Sequence, residues 1–200
     1  MLNLSNDIEV HPLAPFLPSH AKLLMMGSFP PPRNRWKMDF YYPNLHNDMW
    51  RIFGLVFFHD RYYFLNTDRK SFNEKRLRQF LEQTGIAISD TAYQVKRLQN
   101  NAADKFLEVI QPVDLSSLLS QLPECNHIMT TGDKATHTLI QLFSDVITTP
   151  PKIGQPIKIM WHHRCLTLSR LPSSSRAYPL PLEQKVKFYQ DYFYEIGLLH

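Results

Sequence analysis

The chain has 200 residues, is 44% hydrophobic, and carries a formal net charge of +4 with only two cysteines. That length supports one full-sized core and is too short for two, so a single domain over 1–200 is expected, with 1–20 as a lead-in and 21–200 as the core. No run of about 18 apolar residues is present to span a bilayer, and the N-terminus lacks the basic-then-apolar order of a signal peptide, so a cytoplasmic protein with no membrane partner is expected.

Residues 1–20 are studded with proline and read as a lead-in with room for a short helical piece. The run "AKLLMMGSF" is apolar, ends at Gly27, and reads as a buried strand opening into a loop. That loop, from Phe29 to about Asn44, holds Pro30, Pro31, Pro32 and Pro43, which bar helix throughout. Met49, Trp50, Ile52, Phe53 and Val56 then share one helical face, with Asn47 as a natural N-terminal cap. "SFNEKRLRQFLEQTG" reads as a second helix, with a capping box from Ser71 to Glu74 and a stop at Gly85.

"IAISDTAYQV" follows as a buried strand, "DLSSLLSQL" as helix, and "NHIMTTGDKATHTLIQLF" as strand, turn and helix. "IKIMWHHRCLTLSRLPSSS" reads as one or two strands breaking into a loop, and "PLEQKVKFYQDYFYEIGLL" closes the chain as helix. Strands alternating with helices predict an α/β layered domain with a mostly parallel sheet. In such sheets, sites lie beyond the carboxyl ends of the strands. The loops at those ends are Gly27 to Asn47, Ser89 to Thr91, and Leu171 to Tyr178.

Arg33, Arg35 and Lys37 surround Trp36, and Arg61, Arg69, Lys70, Lys75, Arg76 and Arg78 crowd the next segment. Cations interleaved with aromatic rings suit nucleic acid, phosphates meeting the charges and bases the rings; for the second cluster alone a solvated helix face is the better reading. Cys125 and Cys165 are isolated, too few for an iron-sulfur or structural zinc site. His162 and His163, as strand neighbours, point to opposite faces and do not converge on one ion. "TTGDKAT" lacks the phosphate-loop pattern, although Thr130, Thr131 and Gly132 stand where a helix N-terminus favours an anion; a plain structural turn reads as well. No Gly-x-Ser-x-Gly elbow supports a hydrolase built on Ser28 or Ser174 with His46 or His163.

Four blocks in this order, "LLMMGSFPP…YYPNLHNDMWRIFG", "GIAISDT", "IMTTGDKAT" and "LPSSSRAY", resemble the uracil-DNA glycosylase superfamily. The similarity is greatest to its hypoxanthine-DNA and mismatch-specific uracil glycosylase branch, and it runs from Leu23 to about Tyr189. The resemblance implies a three-layer α/β/α sandwich around a short, mostly parallel sheet. It implies a monomeric, monofunctional enzyme that needs no metal or cofactor and acts on damaged or mismatched DNA. Such an enzyme flips a deaminated base, uracil or hypoxanthine, out of the helix and hydrolyses its N-glycosidic bond.

Residue by residue, the resemblance makes "LPSSSRAY" a DNA-insertion loop. Pro172, Ser173, Ser174 and Ser175 then meet flanking phosphates, and Arg176 or Tyr178 fills the vacated stack. Arg33, Arg35 and Thr131 join the DNA surface. Tyr42 falls where an aromatic ring stacks on the flipped base. Asp90 falls where relatives read the base edge, and a carboxylate there selects a base offering a ring N–H; a helix cap after a strand needs the same residue type. Backbone amides of Gly27, Ser28 and Phe29 are placed to stabilise the departing base. Asn47 matches the asparagine that positions water, a task that needs the same residue as a helix cap. Many relatives carry an acid or amide where this chain has Phe29. The alternative is therefore a non-catalytic DNA-binding member of the same fold.

Overall fold

The computed structural model describes residues 8–98 and 106–200. In chain order its elements are β1 (Ile8–Val10), β2 (Leu23–Gly27), α1 (Met49–Phe58), α2 (Glu74–Thr84), β3 (Ile86–Asp90), β4 (Ala92–Arg97), β5 (Leu107–Pro112), α3 (Leu115–Ser120), β6 (His127–Thr131), α4 (Asp133–Leu142), β7 (Ile157–Trp161), β8 (Arg164–Leu171) and α5 (Leu182–Glu195). The main sheet has the order β3-β2-β6-β8-β7, parallel throughout except for β7, which pairs antiparallel at one edge.

Every residue of β2 and β3 is buried, as a strand covered on both faces requires. Alternation along β2 sends Leu23 and Met25 into a core with Trp50, Phe53, Leu77 and Phe193, from α1, α2 and α5. It sends Leu24 and Met26 to the opposite core, against Leu118 of α3 and Leu139 of α4. The result is the three-layer α/β/α sandwich with a mostly parallel central sheet. Among the described residues, no helix is long and apolar enough to cross a membrane.

Four local expectations need correction. The described part of the lead-in contains no helix: β1 pairs antiparallel with β4, and Phe16 exchanges two 2.9 Å backbone hydrogen bonds with Ile88. Residues 1–7 lie outside the described residues. The segment "IAISDTAYQV" is two strands, not one, because Thr91 turns the chain by sending its amide (2.8 Å) and its hydroxyl (3.0 Å) to the Gly27 carbonyl. Beyond that turn β4 leaves the main sheet and joins β1 and β5 in a second, antiparallel sheet.

The cap of α2 is Asn73, whose side chain accepts from the Arg76 amide at 3.0 Å, and not Ser71, whose hydroxyl accepts from Asn66. Gly85 does end that helix, at φ 71°. His162 and His163 are turn residues at φ 46° and 64°, since the two-residue hairpin joining β7 to β8 needs a left-handed backbone at both positions. Substituting Asn73 by Ala should lower stability by about 1 kcal/mol through loss of the α2 cap, read from the urea midpoint at unchanged slope.

Candidate active site

The hydrogen-bond register brings the carboxyl ends of the parallel strands to one level. Gly27 stands opposite Asp90, Met26 opposite Thr130, and Thr131 opposite Leu171. The loops that leave these ends enclose a cleft of about 870 Å³. Of the residues singled out in the sequence, Gly27, Ser28, Phe29, Arg35, Tyr42, Asn47, Asp90, Thr131, Ser173, Ser174, Ser175 and Tyr178 line it. Arg33, Pro172 and Arg176 do not.

Gly27 makes the closest approach. A Cβ at this position would sit 2.5 Å from Asp90 Oδ1 and 2.9 Å from the Tyr42 hydroxyl, so only glycine lets these two groups converge over the strand end. Tyr42 takes a left-handed backbone, φ 52°, which is strained for a bulky residue and is the kind of outlier that marks a functional position. The kink separates the two tyrosines. Tyr41 is buried, with its hydroxyl donating to the Ala14 carbonyl at 3.3 Å, whereas Tyr42 reaches the cleft with its hydroxyl 3.4 Å from Thr131 Oγ1. Trp50 secures both, donating from its indole to the Tyr41 carbonyl at 3.0 Å and meeting the Tyr42 ring at 85°.

Asn47 stands one residue before the N-cap of α1, which is Asp48 and not the expected Asn47. Its Oδ1 accepts from the Met49 amide at 2.9 Å, a local turn that fixes the side chain at the start of the helix while it lines the cleft. Its backbone bridges to Ser175, and the adjacent Asp48 amide donates to the Ser174 carbonyl at 2.9 Å, joining the start of α1 to the loop after β8. Asp48 is buried beneath this junction with Arg176 Nε at 2.9 Å and Arg51 at 3.6 Å. Lys185 of α5 is 1% exposed and donates to the Ser175 carbonyl at 2.7 Å. Burial lowers the Lys185 pKa, against the pull of Asp48 and with help from Arg176; burial and then Arg176 lower that of Arg51.

Several residues are therefore occupied elsewhere. Arg176 is held by Asp48, Pro172 is buried with its carbonyl accepting from Tyr189 at 2.9 Å, and Ser174 is 1% exposed. Arg33 lies over Trp36 at 4.1 Å and pairs with Asp39 at 2.6 Å. The Phe29 side chain turns into a small core with Ala92, Val95 and Leu107. His163 belongs to the β7–β8 turn and does not line the cleft.

The cleft also takes in His46, considered in the sequence only as a hydrolase partner of Ser28 or Ser174, and Lys134 and His137, which the sequence did not mark as site residues. Lys134 and His137 were within reach, lying in the first turns of the helix after "TTG". His11 was not. It hydrogen-bonds Asp90 from behind at 2.9 Å, and only the pairing of β1 with a strand more than eighty residues away brings it there. Among the described residues no group of three or more His, Cys, Asp or Glu is placed to hold a metal ion.

No protein-family model matches the chain, and no curated protein is similar to it. Among solved structures it is similar to the solution structure of "a putative Uracil DNA glycosylase from Methanosarcina acetivorans", with a TM-score of 0.61 over 96% of this chain and 99% of that one, at 19% identity. The two share a fold. A Gly27→Ala substitution should lower stability by about 1–3 kcal/mol, because Asp90 and Tyr42 must be forced apart; chemical denaturation measures the loss, and wild-type stability would show that they separate freely.

Proposed function

We propose that the cleft is the active site of a monofunctional DNA glycosylase that excises a deaminated base, uracil or hypoxanthine, from damaged or mismatched DNA. The observation that carries this reading is that Asp90 and Tyr42 converge over the end of β2 in a cleft that Asn47 also lines. The shared fold with the Methanosarcina protein supports it.

A flipped base stacks on Tyr42, and the Asp90 carboxylate accepts from its ring N–H, which uracil and hypoxanthine offer and neutral cytosine and adenine do not. Cleavage proceeds through an oxocarbenium-like sugar while negative charge grows on the base. The backbone amides of the Gly27 to Phe29 turn are the donors that stabilise this charge. Asn47 combines the two roles that its position allows. Its oxygen is engaged by the Met49 amide, and its Nδ2 donates to the attacking water, orienting the other lone pair toward the sugar; as the new C–O bond forms, the water's proton passes to solvent or to the departed base anion, not to Asn47. Catalysis therefore depends on leaving-group stabilisation more than on base strength. Tyr178, on the cleft wall, takes the wedge role in preference to Arg176. Ser173, Ser175, Thr131 and Arg35 face the phosphates.

The test is single-turnover excision from labelled duplexes that carry uracil, hypoxanthine, xanthine or thymine opposite each normal base, without added metal. Release of a base leaving an alkali-labile site is the expected result. Tight, salt-sensitive binding with no release would favour a non-catalytic DNA-binding member of the fold. Asn47→Ala should slow excision by about 10²-fold or more, with DNA affinity retained and about 1 kcal/mol of stability lost with the hydrogen bond to the Met49 amide. Tyr42→Ala should remove about 1–3 kcal/mol of base stacking, visible as a reduced preference for damaged over intact duplex in a binding titration.

A further inference from the structure

Asp90 is gripped from outside the main cleft. His11 Nε2 lies 2.9 Å from Asp90 Oδ2, and the two side chains are 6% and 7% exposed. The other oxygen, Oδ1, is the one beside Gly27 and the Tyr42 hydroxyl. The imidazole is held between Tyr41, stacked at 5.8 Å, and Phe29, edge-on at 5.1 Å.

At its other nitrogen the ring meets a donor and an acceptor from a single residue. The Leu13 amide is 3.2 Å from Nδ1, and the Leu13 carbonyl is 3.0 Å from it. A neutral ring accepts from the amide, a protonated ring donates to the carbonyl, and in both states Nε2–H donates to Asp90. The charge on His11 can change while the geometry of the pair stays fixed. A second cleft of about 380 Å³, lined by His11 and Asp90 on the side away from the base, gives the ring its route to solvent protons.

We propose that His11 is a positioning residue for base excision: it holds Asp90 with Oδ1 toward the base and, when protonated, cancels the carboxylate charge beside the departing base anion. The proposal rests on the glycosylase reading of the cleft. It answers a conflict within that reading. A carboxylate suits a neutral base with a ring N–H, but it opposes the same base leaving with negative charge. An imidazolium on the far oxygen makes the pair neutral overall while leaving the accepting oxygen in place.

The surroundings agree with this role. Burial disfavours the charged ring, but the hydrogen bond to Asp90 and its charge outweigh burial, and the His11 pKa is raised. Asp114, the N-cap of α3, and Tyr93 of β4 share the second cleft with His11. Burial raises the Tyr41 pKa strongly, keeping that ring neutral, with Arg78 of α2 acting weakly against the shift. Arg97, beyond Phe29, is paired with Glu9 at 2.8 Å. The imidazolium is present below the raised pKa and is lost as pH rises through it. Excision should therefore slow with rising pH across that transition.

Two measurements on the full chain test this. Proton NMR follows the His11 ring through its titration in the wild type and in Asp90→Asn, and single-turnover excision is timed across the same pH range in the wild type and in His11→Gln, which keeps an N–H donor but no charge. The expected results are a wild-type rate that falls about tenfold or more with the midpoint of the His11 titration, a flat profile for His11→Gln at the alkaline rate, and a lower His11 midpoint in Asp90→Asn. The proposal is overturned if His11→Gln keeps the wild-type profile, if the wild-type rate ignores the His11 transition, or if Asp90→Asn leaves the midpoint unchanged. Absence of excision from every duplex at every pH overturns it together with the glycosylase reading, and a coupled His11–Asp90 titration then locates the failure in that reading.

Discussion

The register of the central sheet is the constraint on which the other features depend. Parallel pairing sets Gly27 beside Asp90 and Thr131 beside Leu171, so four strands end at one height and their loops emerge side by side. Slipping any strand by one residue would exchange its two buried faces, and both faces of β2 and β3 are packed, so the register is strongly held. The missing side chain at Gly27 then leaves a gap at this edge into which a carboxylate and a phenol both fit. Thr91 closes the arrangement from the other side by returning to the Gly27 carbonyl. The small sheet grows from that turn and carries His11 to Asp90.

A second organising centre lies beneath the loop after β8. Asp48 receives Arg176 and Arg51, and Lys185 holds the Ser175 carbonyl nearby. Three cations around one buried acid is an expensive arrangement in isolation, and the lowered pKa values of Lys185 and Arg51 express that cost. Its structural effect is to join α1, α5 and the loop into one unit. Asn47 and Ser175 thereby occupy fixed places on the same cleft wall.

The centre of the main sheet was legible in the sequence because β2 and β3 are short, mostly apolar runs ended by Gly27 and Asp90, and the helices because their apolar spacing is regular. Gly85 marked the end of α2 by the same conformational freedom that the structure uses there. The small sheet was hidden. Its strands are short and half exposed, and β1 finds its partner far along the chain, where local periodicity carries no information. Tyr42, Asn47 and Asp90 were visible as strand-end residues of suggestive chemistry. Nothing in "IEVHP" shows that His11 will stand behind Asp90. The attachment of Arg176 to Asp48 was equally out of sight, since 128 residues separate the pair. Asn73 displaced Ser71 as the α2 cap because Ser71 lies two residues before the cap position and its hydroxyl is taken by Asn66.

The anchoring of the loop after β8 bears on how a large ligand is received. Its backbone is tied at Ser174 to α1 and at Ser175 to α5, and Ser173 Oγ accepts from the Ser175 amide at 3.2 Å. The loop therefore gives up its conformational freedom when the chain folds. A partner docking against it meets a preformed edge and loses little entropy in ordering it. Association at this wall should follow rigid-body kinetics, governed by diffusion and orientation of the two surfaces, with no slow closing step of the loop.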